Sequence, residues 1–175
     1  MNKEYGQERI YFVSMLVGLL MFMLLYVPIS IFHHYALADD DAFLPFAVAL
    51  LLLPTIHSSL HVLSCLVLGR SIRIIPKRKF QVIPMFYFCT KSHESKIMSV
   101  LIAMAPTIFL TLPGLAASFM FKDVYVFILI LTAANIGLSL KDFIYAAHLL
   151  RAPKRCRISN RVSSLDILIH PEQNR

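Results

Sequence analysis

The sequence predicts an all-α polytopic membrane protein: four transmembrane helices with a short cytoplasmic β-hairpin between helices 2 and 3. Three observations predict it. Of the 175 residues, 58% are hydrophobic and only 15% charged, against roughly 45–50% and 25% in soluble domains. Mean hydropathy is +0.69. Four apolar runs reach about the 20 residues that a bilayer requires. The basic residues gather on one side of those runs. A soluble chain of this length buries about 70% of its surface, too little to hide so much apolar area. A soluble enzyme, a disordered chain and a secreted disulfide scaffold are therefore excluded. Cys65, Cys89 and Cys156 form no C-x-x-C and read as free thiols.

The elements follow in order along one membrane domain, residues 1–175. Span 1 covers about residues 10–32. A signal peptide is the competing reading, because Ala36-Leu37-Ala38 has the A-x-A form of a cleavage site. The run exceeds the 7–15 residues of a typical signal core, and His33, His34 and Tyr35 separate it from the site, so an uncleaved span is expected. Asp39, Asp40 and Asp41 form a solvated external turn before span 2, at 43–69. The loop 70–95 holds two β-branched and aromatic stretches, 71–75 and 80–88, parted by Pro76-Lys77-Arg78-Lys79; this is a hairpin signature. Pro84 belongs at an edge or at a strand end. Span 3 covers 96–121 and span 4 covers 124–150. A lone strand leaves its backbone unsatisfied in lipid, so each span is a helix. Pro28, Pro54, Pro106 and Pro113 are candidate kinks. Gly18, Gly114 and Gly137 are candidates for close helix contact, although no G-x-x-x-G occurs. The tail, 151–175, is polar apart from Leu165-Asp166-Ile167-Leu168-Ile169.

The charges give the orientation. Lys3 and Arg9 precede span 1. Arg70, Arg73, Lys77, Arg78, Lys79, Lys91 and Lys96 lie between spans 2 and 3 or at their edge. Arg151, Lys154, Arg155, Arg157, Arg161 and Arg175 follow span 4. The other side carries Lys122 with Asp39, Asp40, Asp41 and Asp123. By the positive-inside rule both termini and the 70–95 loop are cytoplasmic, in a multi-pass protein of the cell membrane. The net charge of +7 then reports topology and contact with anionic lipid. No nucleic-acid recognition motif accompanies it.

Ionisable residues inside spans are functional candidates by default. They are His57, His61, Lys141 and Asp142; His148 lies near a helix end, within reach of the interface. His57 and His61 are four residues apart, on one helix face, as in helical zinc motifs. The alternative is two neutral histidines bonded to neighbouring helices. His61 and Asp142 each lie eight residues before the end of their span, in spans of the same direction. Both therefore sit roughly 12 Å from the cytoplasmic end. Two histidines and a carboxylate at one depth make an open zinc site. Asn135 and Ser139 share the stripe of Asp142 and are candidates to support the ligands. In the competing account Lys141 pairs with Asp142 or snorkels to the interface.

At these residues the sequence resembles a family of small bacterial membrane proteins described as zincin peptidases, related in pattern to site-2 intramembrane metalloproteases. The family's H-E-x-x-H and later Gly correspond to His57-Ser58-Ser59-Leu60-His61 and Gly69. Its aromatic-Cys element and Ala-Pro correspond to Tyr87-Phe88-Cys89 and Ala105-Pro106. Its last helix and Pro-Lys tail correspond to Asn135–Asp142 and Pro153-Lys154. The resemblance covers about residues 45–160 and implies His57, His61 and Asp142 as metal ligands. The family's glutamate, the general base, is Ser58 here. A serine hydroxyl is not basic near neutral pH, and losing a positioned base typically removes about 10²–10⁴-fold of rate. The chain also lacks the Pro of the site-2 pattern N-x-x-P-x-x-x-L-D, and its Asp142 stands one residue nearer the Asn.

Three functions are consistent with these residues. The first is a proteolytically silent member of the fold that binds a transmembrane protein partner. The second is an active intramembrane zinc metalloprotease with an unorthodox base. The third is a metal-free interaction or ion/proton transport protein.

Overall fold

The computed structural model describes residues 3–34, 40–69, 72–76, 86–90 and 96–151. The candidate cleavage site, the turn of the expected hairpin and the tail beyond 151 lie outside these residues.

Helix α1 (Lys3–Phe32) carries Pro28 inside it. A 3-10 turn, Asp40–Ala42, leads into α2 (Phe43–Val67), which contains Pro54. Strands β1 (Ile72–Pro76) and β2 (Phe86–Thr90) pair antiparallel, with Ile72 opposite Thr90 and Pro76 opposite Phe86. Helix α3 (Lys96–Pro106) is followed by one π turn, Thr107–Thr111, and by α4 (Leu112–Met120). Helices α5 (Tyr125–Leu138) and α6 (Leu140–Arg151) close the described chain.

Residues Arg9–Phe32, Phe43–Val67 and Ile97–Met120 are each long and apolar enough to cross a membrane. The third of these is not a single regular helix. Pro106 and Pro113 lack the N–H that a regular ladder needs, and the chain passes through the π turn between them. The fourth expected span is a bent pair, α5 and α6, meeting at 42°. Ser139 explains the bend: its backbone N–H and its hydroxyl both donate to the Asn135 carbonyl, each at 2.9 Å. Such back-bonding by serine bends helices.

The chain forms two compact units. The first comprises Met1–His57 and Pro106–Lys141. Its core is Ile29, Tyr125 and Leu129, covered by Phe22, Leu25, Tyr26, Leu115 and Val126. Tyr125 donates to the Ser30 hydroxyl at 3.2 Å. His33 Nε2–H donates to the Ser118 carbonyl at 2.8 Å, satisfying one of the carbonyls that the end of α4 leaves open. Helices α1 and α5 run antiparallel in close approach: Gly137 lies against the Ser14 carbonyl and Gly18, and Gly18 lies against Ala133. The small residues Ser14, Gly18, Ala133 and Gly137 thus form facing small-x-x-x-small pairs. The second unit comprises Ser58–Ala105 and Asp142–Arg175. Among its buried residues are Cys65, Ile102, Ala103, Ala105, Ala146 and Leu149. Large apolar side chains such as Phe12, Met15, Leu51, Ile97, Phe109 and Leu150 are exposed, the pattern of a protein whose solvent is lipid.

Candidate metal centre

His57 and His61 stand one turn apart on the continuous helix α2, and both are buried. In each, Nδ1 is held by an acceptor. His57 Nδ1 lies 2.9 Å from Asn135 Oδ1. Asn135 is oriented by its own amide: Nδ2 donates to the Pro106 carbonyl at 3.3 Å and to Thr111 Oγ1 at 3.0 Å. A carbonyl only accepts, so the amide nitrogen faces Pro106 and Oδ1 faces His57. His57 Nδ1 therefore carries the proton.

His61 is fixed by the backbone of α3. Its Nδ1–H donates to the Ile102 carbonyl at 3.0 Å. In a regular helix that carbonyl accepts from residue 106. Residue 106 is Pro106 and has no N–H to give. The proline thus frees an acceptor inside an apolar helix, and the imidazole of His61 satisfies it.

Each imidazole has its Nδ1–H tied to an oxygen, so its neutral form turns the Nε2 lone pair toward a metal. Zinc-binding histidines are held this way. Asp142, in the first turn of α6, places Oδ2 3.4 Å from His61 Nε2. That is longer than the roughly 2.7–2.9 Å of a charge-assisted hydrogen bond. It matches the spacing of about 3.3–3.4 Å between two ligands held at about 2.0–2.1 Å by one tetrahedral zinc. One ligand atom from each of His57, His61 and Asp142 lies within 4.8 Å of the others. Two neutral imidazoles and a carboxylate form the donor set of a zinc site with an open position, so the residues present fit the metal.

The other predicted residues take separate places. Asn135, wholly buried, touches His57 directly. Ser139 is wholly buried, and its hydroxyl bonds the Asn135 carbonyl. Ser58, half-buried, follows His57 on α2, a helix without a carboxylate. His148 donates from Nδ1 to the Ile144 carbonyl at 2.7 Å on an exposed face. Lys141, weighed above as a partner of Asp142, instead places Nζ 3.6 Å from the centroid of the Tyr11 ring.

Spacing alone did not reveal three participants: the Ile102 carbonyl, Pro106 and Thr111. A proline four residues after a helical carbonyl was the available signal for the first two. Thr111 gave none, because its position depends on the π turn.

A family model described as "Putative zincin peptidase" matches residues 50–157, more than half of the chain. The chain belongs to this family. The matched stretch contains every residue of the candidate site, from His57 to Asp142. No curated protein and no solved structure matches the chain.

Proposed function

We propose that this zincin-peptidase family member is a membrane-embedded zinc protein that binds a membrane-protein partner without cutting it. His57, His61 and Asp142 are its ligands. The single observation that carries the metal site is the pair of Nδ1 hydrogen bonds. They fix both imidazoles in the ligand-competent tautomer before any metal arrives. Asn135 and the Ile102 carbonyl are the positioning groups, and Asp142 supplies the negative charge that a divalent ion needs inside an apolar span. Bound zinc would supply Lewis acidity and an activated water.

The silent reading rests on Ser58. A zincin needs a carboxylate beside its first histidine to take a proton from the attacking water, and serine cannot do so near neutral pH. The charge distribution supports placing both termini and the β1–β2 pair on the cytoplasmic side of the cell membrane. Fifteen of the 17 Lys and Arg residues fall there, and the same basic face would contact anionic lipid.

Metal analysis of the detergent-purified protein tests the site. Wild type is expected to hold about one zinc per chain. His57→Ala, His61→Ala and Asp142→Ala should each lose most of it while remaining monodisperse. A folded wild type without zinc overturns the metal reading and favours the metal-free interaction or transport class.

The serine is tested by Ser58→Glu. The expected result is new cleavage of a transmembrane model substrate that disappears in Ser58→Glu/His61→Ala. Cleavage by the wild type, abolished by His61→Ala, would overturn the silent reading and establish an active intramembrane metalloprotease.

A further inference from the structure

The first unit contains an open apolar cleft that the metal site does not use. It lies between α1, α2 and α5 and has a volume of about 610 Å³. Leu19, Phe22, Leu53, Pro54, Ala134 and Leu138 are among its walls. Tyr11 lines it as well, under the ammonium of Lys141 at 3.6 Å. Tyr11 and Lys141 are both exposed. The cleft thus has apolar walls and, at one end, a cation resting on a phenol.

From Tyr11 to Phe22 the lining of α1 extends about 16 Å along the helix axis. The cleft falls within the 300–1,000 Å³ range of small-ligand sites. An extended hydrocarbon chain fits this space, and its apolar walls suit one. Lys141 and Tyr11 then stand where the polar end of such a molecule emerges. A compact ammonium binds phosphate as a point charge, and a tyrosine hydroxyl at the interface adds a donor.

We propose that this cleft is a binding site for one anionic phospholipid, its acyl chain lying between α1, α2 and α5 and its phosphate held by Lys141 and Tyr11. The site is separate from the metal ligands. One of its walls is Pro54, one turn before His57 on the same helix. The lipid completes a wall that the chain itself leaves open.

The test uses the full chain in phosphatidylcholine nanodiscs containing either phosphatidylglycerol or phosphatidylcholine with a photoreactive tail. Cross-linked residues are mapped by mass spectrometry. Phosphatidylglycerol is expected to label Leu19, Phe22, Leu53 and Ala134 in preference to the outward-facing Phe12 and Leu51. Lys141→Ala should lower that labelling about fivefold, from roughly 1 kcal/mol for one basic residue at an anionic headgroup. Lys141→Arg should retain it. Ala134→Phe, which fills the cleft, should abolish it with Lys141 intact; should that variant not fold, the two Lys141 variants decide. Equal labelling by the two lipids overturns the proposal. So does labelling unchanged by Lys141→Ala, or cleft residues that cross-link to a second protein chain.

Discussion

Gly137→Val is expected to leave little stably folded protein. A Cβ at position 137 would lie 2.7 Å from the Ser14 carbonyl oxygen and 3.3 Å from the Gly18 Cα. All the opposing atoms nearest to it are backbone, so no side chain can rotate away and the two helix axes must separate. Overpacking of this kind costs about 1–3 kcal/mol and occasionally more. In lipid the loss is compounded, because close van der Waals packing is itself what holds helices together. Two other glycines calibrate the effect. At Gly18 the nearest opposing atom to a new Cβ is the Ala133 carbonyl oxygen at 3.3 Å, so Gly18→Ala needs a shift of only a few tenths of an ångström. At Gly69 nothing lies within 4 Å, and only its φ of +66° opposes a side chain, a cost of about 1–2 kcal/mol. The measurement is thermal unfolding of the detergent-solubilised variants, with monodispersity as a check. The expected order of loss is Gly137→Val, then Gly137→Ala, with Gly18→Ala and Gly69→Ala well behind. A Gly137→Ala protein as stable as wild type would contradict the close α1–α5 approach.

This contact shows where sequence reasoning stops. The apolar runs were legible because lipid demands about 20 consecutive apolar residues and tolerates few exceptions. The closeness of α1 and α5 was not, because no G-x-x-x-G occurs within either helix. The pattern is divided between two helices, Ser14 and Gly18 on one, Ala133 and Gly137 on the other, and only their pairing reveals it. The bend at Ser139 was similarly hidden. A serine within an apolar run is compatible with a straight helix, and the double hydrogen bond to Asn135 is visible only in three dimensions.

The candidate metal centre was more legible than the packing. His57 and His61 follow from the helical period, and Asp142 follows from counting rise per residue along two spans of the same direction. That count placed His61 and Asp142 at one depth, and they lie 3.4 Å apart. Depth along a span is readable from sequence because the helix is a ruler. Rotation about the axis and the backbone acceptors of other helices are not. The Ile102 carbonyl matters only because Pro106 leaves it without its donor, and its use by a residue 41 positions earlier has no local signature.

Asn135→Leu is expected to weaken zinc binding about 10–100-fold, the range for groups that orient a metal ligand. The side chain is completely buried and makes three hydrogen bonds, to His57 Nδ1, the Pro106 carbonyl and Thr111 Oγ1. Leucine keeps the number and branching of the side-chain heavy atoms and removes their polarity. It strands a histidine N–H, at about 1–3 kcal/mol when buried. It also removes the acceptor that keeps the proton on Nδ1, so the imidazole is free to turn or to change tautomer and present N–H where the lone pair should be. Stability and affinity must be separated, because both fall. Thr111→Val does so: it removes one partner of Asn135 but leaves the Oδ1–His57 bond and the Pro106 bond in place. Its expected effect is a stability loss of about 1 kcal/mol with zinc affinity little changed. Competition titration with a fluorescent zinc chelator gives the affinities, and thermal unfolding of the metal-stripped proteins gives the stabilities. If Asn135→Leu lowers unfolding temperature but binds zinc as tightly as wild type, Asn135 supports the fold alone. The orientation of His57 must then come from α2 itself. If affinity falls in Asn135→Leu and not in the destabilised Thr111→Val, the hydrogen bond to His57 is what presents its Nε2 to the metal.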